Sequence, residues 1–319
     1  MIKKKTAFLF PGQGSQAVGM LNDLESDPRL GPVCQPLLKQ ADAALGQSLS
    51  QLIAQGPAEQ LNLTVNTQPA MLLADIVVFE AWKAAGGVLP DMVAGHSLGE
   101  YAALVAAKGL SLVEGLRLVR IRAQAMQEAV PVGQGSMAAI LGLPDSTVQE
   151  VCARATEGTE LAQAVNFNAP NQVVIAGTTA GVSRACELAK EAGAKRALVL
   201  PVSAPFHSTL MQPASEVLGR ALAETHVSDL HVPLYTNVDV CAETQGRSLK
   251  DALVRQAFNP VRWVETIEKM QADGADVFIE CGPGKVLANL VKRISDKPVF
   301  SVCSAQSIAE VVQEFENLG

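Results

Sequence analysis

The 319-residue sequence is short of histidine, of positive charge and of long apolar runs. Its net charge of -7 excludes a general nucleic-acid binder, which needs a basic face. A local basic patch for an acidic partner remains compatible with that total. The longest apolar stretch, residues 71–82, is broken by Asp75 and Glu80 and is too short for a membrane span. The opening residues place three lysines before an apolar run, as a secretion signal does. That run is only Thr6–Phe10 before Pro11 and Gly12 end it, so it reads as a buried strand. A soluble, cytoplasmic protein is expected, with neither nucleic acid nor membrane as partner. None of the six cysteines (34, 152, 186, 241, 281 and 303) forms a CxxC pair, and reduced, small apolar residues are expected. Cys281 precedes Gly282-Pro283-Gly284 and so stands near a turn, but a buried structural thiol is the commoner case. There is no internal repeat and no low-complexity segment.

What is present is ample for a core: 48% of residues are apolar. The length exceeds what one compact core usually holds, so one large domain with an insertion, or two domains, is expected. Short apolar strands alternate with helical patterns, the mark of α/β architecture. Thr6–Phe10 and Met92–Gly95 read as strands, 68–85 as a helix, and Leu98 as the start of another. Ser111-x-x-Glu114 fits a capping box for a helix with the stripe Leu112, Leu116, Val119, Ala123 and Met126. Between 132 and 202 the order becomes β-α-β-β-α-β: strand 137–141, helix 145–157, strands 161–168 and 172–177, helix 179–192, strand 196–202. That is the ferredoxin-like unit. Gly133 and Gly135 suggest an entry hinge. The expected organisation is a large α/β domain of residues 1–131 and 203–319, with 132–202 inserted. Strands are expected at 232–238, 276–281 and 298–302, with a closing helix near 307–317.

Gly95-His96-Ser97-Leu98-Gly99 is the strongest chemical signal. A G-x-S-x-G run between a strand and a helix forms a nucleophile elbow, which lifts the serine hydroxyl clear of the backbone. The following helix N-terminus favours negative charge there. A serine hydroxyl needs a base. Of the four histidines, His96 adjoins Ser97 and is expected to pack or orient the turn. His226 and His231 lie in a polar connection. His207, on a loop after a strand, is the best base by elimination. An oxyanion needs N–H donors. Leu98 supplies one from its backbone, and the loop 11–16 is the candidate for the other. That loop also matches a loose dinucleotide fingerprint, Gly12-x-Gly14-x-x-Ala17, but no second strand with an acidic end follows. Gly282-Pro283-Gly284-Lys285 fails as a phosphate loop, because Val286 replaces the Ser/Thr and Ile279 the first glycine. On the capped helix, Arg120 and Arg122 flank the apolar stripe and Arg117 lies away from it. Either flanking arginine is placed to bind a carboxylate, and periodicity does not choose between them.

Together these motifs resemble the malonyl-CoA:acyl-carrier-protein transacylases. The matching pieces are FPGQGSQ at 10–16, TQPA at 67–70, GHSLGEY at 95–101, RLVRIRAQAMQEA at 117–129, VNFNAPNQVVIAG at 165–177, PVSAPFHS at 201–208, TNVDV at 236–240, DALVRQ at 251–256 and GPGKVL at 282–287. The resemblance implies an α/β-hydrolase-like parallel-sheet domain with an inserted ferredoxin-like subdomain. It implies Ser97 as nucleophile, His207 as base, Gln13 and Leu98 as the oxyanion hole, and Arg122 as the carboxylate-binding residue. Gln256 matches a residue whose backbone carbonyl orients the histidine. Phe206 takes a position that is smaller in some relatives, and a bulky ring there should favour malonyl over branched acyl groups. Malonyl-CoA and acyl carrier protein are the implied partners, without metal or redox cofactor. The length favours a discrete enzyme of fatty acid synthesis over an acyltransferase subunit of a polyketide or malonate-decarboxylase system, and a monomer is expected. A serine esterase or thioesterase shares the elbow and histidine but has no need of the carboxylate clamp. A non-catalytic carrier-binding subunit would not need the set of Ser97, His207 and Arg122.

Overall fold

Alternate residues of a strand face opposite sides of its sheet, and Thr6–Phe10 (β1) is buried on both. Phe8 and Phe10 turn to one face, where Phe79 and Trp82 meet them edge-on. Ala7 and Leu9 turn to the other, into a cluster with Trp263, Ile267 and Val291. In this computed structural model, which describes residues 4–202 and 204–318, β1 lies inside a six-stranded sheet. The other strands of this sheet are β2 (Met92–Gly95), β7 (Leu234–Tyr235), β8 (Ala242–Glu243), β9 (Val277–Cys281) and β10 (Val299–Val302). The order is β10-β9-β1-β2-β7-β8, parallel except for the edge strand β8. The helix Thr64–Ala84 is buried almost all round, as a helix apolar on every side must be. No described helix is long and apolar enough to cross a membrane.

A second sheet is built from β3 (Gly135–Leu141), β4 (Ala162–Ala169), β5 (Gln172–Thr178) and β6 (Arg196–Val199). Its order, β4-β5-β3-β6, is antiparallel throughout and is that of a ferredoxin-like unit. It has its own core, in which Ile140, Val173 and Ile175 meet Val148 and Val182 from the helices Asp145–Ala155 and Thr179–Glu191. The first helix is two residues shorter than expected and the last strand ends at Val199 rather than 202. Gly135 is less a hinge than a contact: a Cβ there would lie 2.3 Å from Pro205. The entering and leaving chain segments therefore touch. Ser203, the expected point of return, lies outside the described residues, as does Lys3, the first of the three opening lysines.

Two features depart from expectation. The strand expected at 232–238 is only Leu234–Tyr235, because residues 236 and 237 leave the ladder. Thr236 N–H closes a turn on Cys241 O, and Asn237 turns towards Ser97. Residues 22–61, to which the sequence patterns assigned nothing, hold four helices, the longest being Gly31–Leu45.

Candidate active site

β2 runs straight into the helix Gly99–Ala106, and Ser97 is the corner between them. Its φ of 52° is the left-handed region that side chains other than glycine rarely adopt. The glycines make the corner sterically feasible. A Cβ on Gly95 would lie 1.9 Å from Gly99 C, and one on Gly99 would lie 2.0 Å from Phe10 O. Gly12, on the loop after β1, passes so close that its Cβ would lie 2.6 Å from His96 O. Asn237 locks the turn. Its Oδ1 accepts from Ser97 N–H at 2.8 Å, and its Nδ2 donates to Gly95 O at 2.8 Å.

Ser97 Oγ lies 2.6 Å from His207 Nε2, and His207 Nδ1 lies 2.9 Å from the backbone carbonyl of Gln256. A carbonyl only accepts, so Nδ1 carries the proton and Nε2 is left as the acceptor for the serine hydroxyl. His207 is 3% exposed. Burial, helped by the nearby Arg122 charge, pushes its pKa down to about 3, against the pull of the Gln256 carbonyl. The imidazole is therefore neutral at physiological pH, as a base must be. Phe206, just before it, is buried as well.

Of the two candidate arginines, only Arg122 reaches the serine. It is 2% exposed, and its Nη2 donates to Ser97 Oγ at 3.1 Å and to Gln256 Oε1 at 3.0 Å. Nη1 donates to Gln68 Oε1 at 2.8 Å, and the guanidinium lies 5.5 Å from the Tyr101 ring centroid. Both Gln68 and Gln256 are neutral acceptors, and among the described residues no carboxylate bonds this buried cation. Arg120 instead donates to Gln47, and Arg117 is exposed. Leu98 is the first residue of the turn entering the helix, and Gln13 sits on the loop after β1, its Oε1 taking a bond from Gln68 Nε2 at 3.3 Å. Among the described residues, the N–H groups of Leu98 and Gln13 have no acceptor.

His96 points away from the hydroxyl. Its Nε2 is 2.7 Å from Asn168 Oδ1 on β4, and its ring meets Trp263 edge-on. His226 and His231 are exposed. Cys281 is fully buried and its thiol is pushed well up by burial, so it is an inert packing residue. Among the described residues, no group of three or more His, Cys, Asp and Glu could hold a metal ion. Sequence reasoning missed Glu100, Asn237, Gln68 and the side chain of Gln256, all of them buried polar residues. Each lies inside a quoted motif, but nothing in its local sequence marks it as part of the site. Glu100 is fully buried; desolvation raises its carboxyl to about 7, opposed by bonds from Gln256 and Asn237 and by Arg122.

The family model for the acyl transferase domain matches residues 7–314. The malonyl CoA-acyl carrier protein transacylase of Haemophilus influenzae is 50% identical over 314 residues, 98% of this chain and 99% of that one. The crystal structure of an acyl-carrier-protein S-malonyltransferase from Burkholderia pseudomallei superposes with a TM-score of 0.93 at 55% identity, covering 97% and 99% of the two chains. A malonyl-transacylase in complex with its type II PKS acyl-carrier protein gives a TM-score of 0.94 at 42% identity, covering 97% and 99%. By the extent of the family match and of these identities, the chain belongs to the acyl transferase family, among its malonyl-CoA:acyl-carrier-protein transacylases.

Proposed function

We propose that this chain moves malonyl groups from malonyl-CoA to the phosphopantetheine thiol of acyl carrier protein through a malonyl ester of Ser97. One observation carries the reading: a single hydroxyl lies 2.6 Å from a neutral imidazole and 3.1 Å from a buried guanidinium. The first makes it a nucleophile; the second selects an acyl group that ends in a carboxylate.

As Ser97 Oγ attacks the thioester carbon, His207 Nε2 takes its proton. The backbone carbonyl of Gln256 holds Nδ1–H and steadies the imidazolium that forms. The free N–H groups of Gln13 and Leu98 take the oxyanion. When the C–S bond breaks, His207 returns the proton to the departing thiolate of coenzyme A. The carrier thiol then attacks the ester, giving its proton to His207, and Ser97 leaves with that proton. Arg122 turns the Nη2–H it now gives Ser97 Oγ to the malonyl carboxylate. No step consumes a redox equivalent. The domain division at 131/132 and 202/203 is part of the proposal, supported by the separate core of the second sheet. So is a cytoplasmic location, since six unpaired cysteines suit a reducing compartment.

Incubation with malonyl-CoA should add one malonyl mass to the peptide bearing Ser97, read by mass spectrometry, and Ser97→Ala should take none. Holo carrier protein should then remove the label from the enzyme and acquire it. No label, or discharge to water alone, would overturn the transferase reading.

A further inference from the structure

Glu100 is the second residue of the helix that follows the elbow, and it is fully buried. Its Oε2 accepts from Asn237 N–H at 3.1 Å and from Gln256 Nε2 at 2.9 Å. Gln256 spends its remaining groups on the site. Nε2 also donates to Ser97 O at 2.8 Å, Oε1 accepts from Arg122 Nη2 at 3.0 Å, and the main-chain carbonyl faces His207. A primary amide donates only at nitrogen and accepts only at oxygen. With two acceptors, Glu100 and Ser97 O, at its nitrogen end, the amide is held in one sense. Turned over, it would set its oxygen against both acceptors and its N–H groups against a guanidinium.

We propose that Glu100 is a positioning residue for the carboxylate clamp: it fixes the Gln256 amide with Oε1 towards Arg122, and so sets the guanidinium to receive an acyl carboxylate. This rests on the acyl-transfer reading and adds to it a residue that touches no substrate atom. Glu100 stands one hydrogen-bonded residue behind Arg122. It therefore orients the cation without occupying the place that the substrate carboxylate must take. The histidine is served by the main chain of Gln256, the clamp by its side chain. Loss of Glu100 should consequently weaken the choice of acyl group more than the chemistry on an uncharged one.

Glu100→Ala removes the acceptor of Asn237 N–H and of one Gln256 N–H, and opens room for the amide to turn. Glu100→Gln can keep an oxygen where Oε2 lies, and so both bonds. Each variant, and the wild-type chain, is given malonyl-CoA and acetyl-CoA in competition, and transfer to holo carrier protein is measured. The ratio from one preparation does not depend on the fraction that is folded. Glu100→Ala should lower the malonyl-to-acetyl ratio about tenfold or more, the scale of one charge-assisted hydrogen bond. Glu100→Gln should stay within about threefold of wild type, because the bonds rather than the charge orient the amide. An unchanged ratio in Glu100→Ala, or Glu100→Gln falling as far as Glu100→Ala, overturns the inference. A wild-type chain that moves no malonyl overturns the acyl-transfer reading instead.

Discussion

Arg122 and His207 share the Ser97 hydroxyl, and each alters what the other can do. The buried guanidinium helps to hold His207 at about 3, after burial itself. A base works deprotonated, so activity is kept above that pKa and lost as pH falls through it. Arg122→Ala removes one of the two main causes. The acid limb of the rate for an uncharged acyl group should then move to higher pH, towards the ordinary histidine value. In the same variant malonyl transfer should fall about 100-fold or more, while acetyl transfer falls far less, as expected when one partner of a desolvated charge pair is cut away. Rates with both thioesters from below about pH 3 up to about 8 check this; an unmoved limb would mean that burial alone sets His207. His207 was legible by elimination among four histidines, whereas Arg122 was told from Arg120 only by the family resemblance. Glu100 and Asn237 were not legible, since an acidic residue in a first helical turn and an asparagine after a strand are ordinary features. Only the fold turns Asn237 onto Ser97 and Glu100 onto Asn237 and Gln256.

At the scale of elements, the elbow is where local sequence and tertiary packing agree most closely. Gly95 and Gly99 are required because strand, helix and the end of β1 approach within van der Waals contact there. The strain that remains is at Ser97, with φ 52°. Ser97→Ala and Ser97→Gly both lose the hydroxyl and its bonds to His207 and Arg122, so comparing the two isolates the backbone. Ser97→Gly should be more stable than Ser97→Ala by about 1 kcal/mol, reduced by the extra freedom of glycine in the unfolded chain. Chemical denaturation of the two variants checks it, and equal stability would mean that the turn is unstrained. The capping box was readable because it is a four-residue signal, and Ser111 Oγ does accept from Glu114 N–H at 3.2 Å while Glu114 reaches back. The stripe Leu112, Leu116, Val119, Ala123 and Met126 is buried throughout. The segment 232–238 misled because an apolar run suggests a strand, whereas site geometry takes its last residues out of the ladder. Three of the helices within 22–61 are too short to give a sustained period, and the longer Gly31–Leu45 carries Pro36 in its interior, which reads as a break.

Across the whole molecule, the two sheets meet at the site rather than beside it. Val261 exchanges backbone bonds with β4, at 3.0 Å from Phe167 N–H and 2.8 Å to Val165 O, and His96 reaches Asn168 on the same strand. The elbow and the chain following Gln256 are thus both braced by the inserted sheet, which no local pattern could have shown. Stability as a whole must also carry several buried ionisable groups, and Asp75 is the most exacting of them. It lies midway along the helix Thr64–Ala84, fully buried, and neither carboxyl oxygen has a hydrogen-bond partner among the described residues. Burial, and then the charge of Glu280, raises its pKa well above the usual range. The folded chain therefore keeps a proton there that the unfolded chain releases above about pH 4. That contribution to stability is full below the unfolded pKa and is lost as pH rises towards the folded one. The loss runs at about 1.4 kcal/mol per pH unit. Asp75→Asn has no proton to lose, so its unfolding free energy relative to wild type should improve by that slope as pH rises from about 5 towards the folded pKa. The offset at any one pH depends on how the amide packs; the slope does not. Urea unfolding of both proteins at several pH values measures it, and a difference that stays constant would mean that Asp75 is ionised in the folded chain.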